Sequence, residues 1–403
     1  TTTDSLDNAD LTTLFKVGMK VIVSGDSDKS NRGKDEYGVQ KTPYTIASVS
    51  ANSMVFSETI SGTDGSDLSL KLDQYVDIFA IQIQLREDIN VEGLSGSGRL
   101  DIDAGKQIFV GSKEALPIGQ IWSGGEDVRL KTRGDITNAL SSSDTNFKSR
   151  HLLLEAGSTG GIGMADDVIF IDQTADGYLT ARGQLGIYIT ERTGDIQVST
   201  IYSASGDVRL TAPGNIVDAL NTSFVNIEAG DIWLTSTGGG IGAAGSSGSE
   251  PNSLDIEARG NGSTTGAGLL TATAQGDIFI AEQSGDMNVR NVLSTAGSVR
   301  LEAAENILDA MDLVDPTVPS SGEDVDAASK KPQIDVLAHE NITLQARGDS
   351  SGASGYIGEA GNQLDIDSRR GNLAGVVSVQ SRSDTYLIET LGDLYLNTAE
   401  VLD

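Results

Sequence analysis

The chain has 403 residues, with 28 Lys and Arg against 58 Asp and Glu, a formal net charge of −30. A surface so acidic repels nucleic acid and anionic lipid, which bind through clustered Lys and Arg, so neither is expected as a partner. There is no cysteine, which excludes disulfides, thiolate zinc sites and cysteine nucleophiles, and no apolar run reaches the roughly 18–20 residues of a transmembrane segment.

The first 82 residues differ from the rest. The runs "LFKVGMKVIVSGDSD", "TPYTIASVSANSMVFSETI" and "DLSLKLDQYVDIFAI" predict hairpin strands around a polar loop, residues 25–40. Tyr44, Ile46, Val49, Met54 and Phe56 are expected to line a small β-barrel or sandwich, with a domain boundary at 82/83.

Beyond residue 83 the chain repeats itself. "GEDVRLKTRGDITNAL" (125–140) returns as "GDVRLTAPGNIVDAL" (206–220) and "GSVRLEAAENILDAM" (297–311). A second phrase follows each: "YITERTGDIQV" (188–198), "FIAEQSGDMNV" (279–289) and "YLIETLGDLYL" (386–396). A third marker, "GGIG" at Gly160 and Gly239, becomes "GYIG" at Gly355. Three markers in one order define blocks at about 121–200, 201–291 and 292–397. The last is lengthened by a Pro/Ser/Asp-rich stretch, 312–333, expected to be a surface loop.

Between the markers lie runs of four to seven residues with period-two polarity, bounded by Gly, Asn, Asp or Ser, the pattern of half-buried strands. Val208, Ile232, Ile256, Ile278 and Val299 are spaced by 24, 24, 22 and 21. A unit of this length with two or three short strands is one rung of a β-solenoid, which buries its apolar face only by stacking on its neighbours. The expected fold is all-β: a parallel β-helix of about 15 rungs, roughly 70 Å long at the strand spacing. Each block is then about four rungs.

Chemistry is sparse. His151 and His339 stand alone, without metal-ligand spacing, and read as surface or turn residues. Glu191/Asp195, Glu282/Asp286 and Glu389/Asp393 repeat a pair of acids beside a glycine turn. Such pairs could hold calcium, which takes six to eight oxygen ligands; alternatively each Asp bonds its own backbone and each Glu faces water. Asp101 and Asp365, in "DIDAGKQ" and "DIDSRRGN", carry the same two readings. Asp166, Asp167 and Asp172 near Arg182 are the best candidates for polysaccharide cleavage, but no block holds a dense, unique set, and no enzyme is expected. "GSTGGIG" (157–163) is followed by no helix and reads as a turn. Trp122 and Trp233 are expected in core or groove packing rather than as sugar platforms.

The phrases "GDVRLTAPGNIVDAL", "GDIWLTSTGGGIG" and "GDIFIAEQSGDMNV" resemble the repeats of filamentous-haemagglutinin-like exoproteins and adhesins of Gram-negative bacteria, over residues 83–403. The resemblance implies a right-handed parallel β-helix, export to the cell surface as a mature product or processed piece, and a role in adhesion or extracellular fibres. The family's N-terminal secretion domain and the nonapeptide calcium arrays of other secreted repeats are not in this sequence. The expected function is a rigid extracellular rod, the shaft of an adhesin or a subunit joined head to tail. The alternative is a glycan- or cell-surface-binding module acting through residues 25–40 or 312–333, and more remotely a polysaccharide lyase or hydrolase.

Overall fold

The computed structural model describes residues 20–24, 44–50, 53–57, 69–72, 83–88, 99–140, 143–243, 245, 251–260, 268–310, 334–348, 354–370 and 373–402. The chain divides into two compact units, 1–77 and 78–403. In the first, strands Lys20–Ser24, Tyr44–Ser50, Ser53–Phe56 and Ser69–Leu72 form one antiparallel sheet, with Lys20–Ser24 between Tyr44–Ser50 and Ser69–Leu72. Ile46 is buried beneath it. The strand Ile83–Asp88 belongs to the second unit, where it pairs in parallel with Ile108–Gly111.

The second unit is a parallel β-solenoid with two sheets, of 14 strands (sheet I) and 15 strands (sheet II). The chain crosses sheet I, turns, crosses sheet II and returns one strand spacing further along. Thirteen strands follow one another in sheet I among the described residues, from Ile83–Asp88 to Leu396–Val401. At about 4.8 Å per step that is about 58 Å.

The repeated phrase explains itself in this setting. In "VRLTA" (Val208–Ala212), Val208, Leu210 and Ala212 point inward, while Arg209 and Thr211 do not. Inward residues stack in columns: Ile187, Val208, Ile232 and Leu270 in sheet II; Ile278, Val299, Ile342 and Val377 in sheet I, all at most 1% exposed. The third inward slot lies at the turn and most often takes Ala or Ser, with Thr132, Gly183, Gln173, Glu191 and Glu282 as exceptions. There Ser203, Ser236 and Ser294 each donate back to a turn carbonyl of the preceding coil, Leu185, Gly214 and Gly276, at 2.7–2.9 Å.

Val208 stacks on Ile232, as the spacing predicts, but Ile256 does not continue that column. It lies in sheet I, beside Ile227, and the next residue above Ile232 is Leu270, 38 positions on. A linear spacing of 24 residues does not distinguish a full coil from a half coil lengthened by an excursion.

The same ambiguity hides the nature of the block. From Leu116–Trp122 to Ile187–Glu191 the chain makes seven crossings, beginning and ending in sheet II. The next block therefore begins in sheet I, at Ile196–Ser203, and the third in sheet II again, at Met287–Ser294. Each block is three and a half coils, not four, and Val128, Val208 and Val299 lie in sheets I, II and I.

Every block also opens its ladder in the same way. A long strand, such as Ile196–Ser203, is followed one coil later by two short ones, Ile216–Asp218 and Ile227–Ala229, that share its length. Between them the backbone leaves the sheet. One coil further on, Ile241 makes a lone bridge before a second excursion returns at Leu254–Ala258. The glycine after that bridge, Gly163, Gly242 or Gly358, has φ of +64° to +69°. A Cβ there would sit 2.2–2.6 Å from the carbonyl oxygen of Tyr188, Phe279 or Tyr386. The "GIG" marker is thus the exit from the ladder, where backbone conformation and space both demand glycine. Gly242→Ala is expected to cost about 1–3 kcal/mol, seen as a lower urea midpoint. Gly194→Ala, at an ordinary φ and with open space where the methyl group would sit, leaves the midpoint in place.

Candidate functional site

Five of the six repeated acids are staples between coils. Asp195 Oδ1 accepts the backbone N–H of Asn215 at 2.7 Å and its side-chain amide at 3.1 Å; Asp286 Oδ1 does the same with Asn306 at 3.2 and 2.6 Å. Their partners lie one coil onward, not in their own turn. The glutamates reach the opposite way. Glu191 accepts from the backbone of Gln173, Glu282 from Ala258 and Glu389 from Ser368, each in the preceding coil. Glu191 and Glu282 are buried at 2% and 1% exposure rather than facing water. Burial raises the Glu191 carboxyl to about 7 and pushes Glu282 and Glu389 upward as well. Asp393 is exposed. Glu and Asp of one pair therefore serve different coils, and among the described residues no three His, Asp or Glu side chains converge as a metal centre would need.

The other acids are dispersed too. Asp101 binds the N–H of Gln120 and pairs with Arg99; Asp365 is buried near Asp335. Asp167 accepts from Asn138, Asp172 from Thr193, and Asp166 is exposed. Arg182 lies in sheet I, over Tyr202, whereas Asp172 lies in sheet II, so the structure does not bring that set together. His151 stacks on Tyr178, ring centroids 3.8 Å apart, and accepts its backbone N–H; His339 is half-buried beside Ser294. Trp122 and Trp233 lie on the outward side of their strands, not in the core, covered by Lys148 and by Arg209. Residues 25–40 and 312–333, the expected binding loops, lie outside the described residues.

One position changes character between blocks. The first excursion is closed by Asn146 donating to Asn138 at 2.8 Å in block one and by Asn226 donating to Asp218 at 2.7 Å in block two. Block three has Asp309 facing Asp335, both at most 2% exposed. Asp335 retains the second bond of the motif, accepting the N–H of Asp365 at 2.8 Å as Asn226 accepts that of Asp255. Two buried carboxylates in contact cannot both be ionised. Burial, then the charge of Asp309, raises Asp335 to about 10.

A groove of about 490 Å³ on the outward side of sheet I gathers polar groups. Its floor is one straight column, Asp255, Ala281, Glu302, Gln345 and Gln380, each on a successive coil. Asp255 is buried, accepts from the Gln283 amide at 2.7 Å, and is raised by that burial to about 6. Glu302 is held by Arg300 at 2.6 Å and Arg347 at 2.5 Å. The wall is built by two excursions of block two, Asn221–Ser223 and Pro251–Ser253. The groove has no compact signature in the sequence because its members are up to 159 positions apart, from Asn221 to Gln380. The outward residue before the small third slot is Thr at 211, 235 and 273 and Glu or Gln at 302, 345 and 380, but Glu155, Glu228 and Glu257 hold the same place outside the groove, so that pattern alone does not find it.

Two outcomes follow for solution behaviour. The buried Asp309–Asp335 pair holds a proton in the folded chain, whereas each carboxyl titrates near 3.9 when unfolded, so the native state binds the extra proton and stability falls as pH rises above about 4. Asp335→Asn, which recreates the pairing of block two, is expected to flatten that decline when melting temperatures at pH 5 and 9 are compared. Because the repeated Glu and Asp are committed to different coils, a chelator is expected to leave the melting temperature unchanged; a clear drop would restore the calcium reading.

Comparisons of the chain with protein-family models, with curated proteins and with solved structures find no match.

Proposed function

We propose that the second unit is a structural solenoid, the shaft of an exported surface protein of the filamentous-haemagglutinin-like kind, which extends by end-to-end stacking. The observation that carries this reading is the aliphatic interior. Inward aliphatic positions in both sheets stack from coil to coil, interrupted at Glu191 and Glu282, and each coil depends on the next for burial. Such an element resists bending because its backbone ladder runs along its length. Five of the six repeated acids serve the ladder.

The last described coil supports stacking. Its strand Leu396–Val401 is paired on one side only, with Val377–Ser381. Leu391, Leu394, Tyr395, Leu396 and Val401 are 45–75% exposed, the densest run of exposed apolar side chains among the described residues. An unpaired parallel edge bearing apolar residues is a template for another coil, and a contact of this head-to-tail kind does not close on itself. In the proposed role that coil is covered by another molecule of the same chain or by further coils of a longer one.

Sedimentation velocity and negative-stain microscopy over a wide concentration range test the proposal. The chain is expected to give linear oligomers that lengthen with concentration, and the pair Leu396→Lys and Val401→Lys to keep it single. Discrete single particles at every concentration, or association undisturbed by the two lysines, would count against stacking.

A further inference from the structure

We propose that the groove on sheet I binds a neutral polysaccharide chain lying along the solenoid axis. The inference does not depend on stacking, since every group it uses belongs to one molecule.

Four of the five floor positions carry a planar polar side chain, Asp255, Glu302, Gln345 and Gln380, with Ala281 leaving a hollow between the two acids; Gln380 also donates to Glu400 at 3.0 Å. Four ladder steps span about 19 Å. Carboxylates and amides offer two adjacent polar atoms in a plane, the arrangement that meets neighbouring hydroxyls of a sugar ring. A ladder of them at a constant step matches a polymer of like units lying along it, whereas a compact ligand would occupy only one or two.

Charge selects among polymers. The two guanidinium groups of the groove, Arg300 and Arg347, are engaged by Glu302. With Asp255 alongside, the groove's charges balance, two of each sign, and the chain around it carries a net charge of −30, so an acidic sugar or nucleic acid finds no cationic surface there. A peptide strand fits poorly as well, since the floor strands are already paired on both edges and expose no backbone ladder to add to.

The wall is preorganised. Asp218 accepts the N–H groups of Leu220 at 2.8 Å and Thr222 at 3.1 Å, fixing the turn at Asn221, where φ is +50°. The neighbouring excursion is closed by reciprocal backbone bonds between Ala243 and Asn252, both 2.9 Å. Phe224, the residue after Ser223 in the chain, is 74% exposed. A site whose walls are already ordered loses little conformational entropy on binding.

Native affinity electrophoresis of the full chain decides the question, in gels containing dextran, laminarin, xyloglucan or galactomannan, and in gels containing alginate or polygalacturonate. At least one neutral polymer is expected to retard the protein and neither acidic one. The double variant Gln345→Ala, Gln380→Ala removes two hydrogen-bonding groups and is expected to weaken retardation about ten-fold. Thr211→Ala with Thr235→Ala, on the opposite sheet, should leave it unchanged, with circular dichroism and melting confirming that both variants fold. Retardation by none of the neutral polymers overturns the proposal, as does equal retardation by the acidic ones or a double variant that binds as well as the parent. Failure here with concentration-dependent oligomers intact would leave the structural role standing.

Discussion

The whole second unit rests on one constraint: each coil must lie one strand spacing above the last, in register, because no coil can bury its own apolar side. Once that is required, the residue choices follow. The first two inward positions of a strand mostly take Val, Ile or Leu, which fill the space between sheets, as at Val208 and Leu210. The third, where the backbone is already turning, is most often Ala or Ser, and where it is Glu, at 191 and 282, the carboxylate bonds the backbone of the preceding coil. The ladder tolerates departures only where the chain returns in register, and it does so twice in every block.

The constraint also accounts for much of the acidity. Each turn ends with backbone N–H groups that no strand partner satisfies, and an unpaired buried N–H is costly. Asp195, Asp207, Asp277 and Asp286 each accept such a group from the next coil; Asn215 and Asn306 do so in the coils where the acid is replaced. Glu191 and Glu282 serve the preceding coil from within the molecule. A share of the charge of −30 therefore has a mechanical origin, and its least comfortable members are held partly or wholly protonated by burial.

Period-two runs, glycine turns and the recurrence of whole phrases are all legible in the sequence, because each is local or strictly periodic. What escapes it are relations between coils. The turn aspartates are readable as turn residues, but their partners lie about 20 positions on, and local turn chemistry alone points to their own backbone. Spacing makes Ile256 the successor of Ile232 because distance along the chain carries no record of which sheet a strand joins. The groove is hidden for the same reason: Asp255 and Glu302 are neighbours only once two ladder steps have placed them either side of Ala281. The first unit, without a repeat to compare against, yields strands but not their order.

The half-integral block has a consequence for how such a molecule can carry function. If a duplicated block were a whole number of coils, its excursions would fall on one side and successive copies would build a single decorated face. With three and a half coils the copies alternate, so the excursions of block two, which wall the groove, flank sheet I, whereas those of blocks one and three flank sheet II. Equivalent sites then recur on one side only every second block, about 34 Å apart at the ladder spacing. Between them the outward columns of one sheet cross from one block into the next: the floor of the groove begins in block two, at Asp255 and Ala281, and continues on Glu302, Gln345 and Gln380 of block three. The groove is therefore a property of a junction between blocks. A single block could not hold it, and substitution at a few outward positions can change it without disturbing the columns that keep the molecule folded.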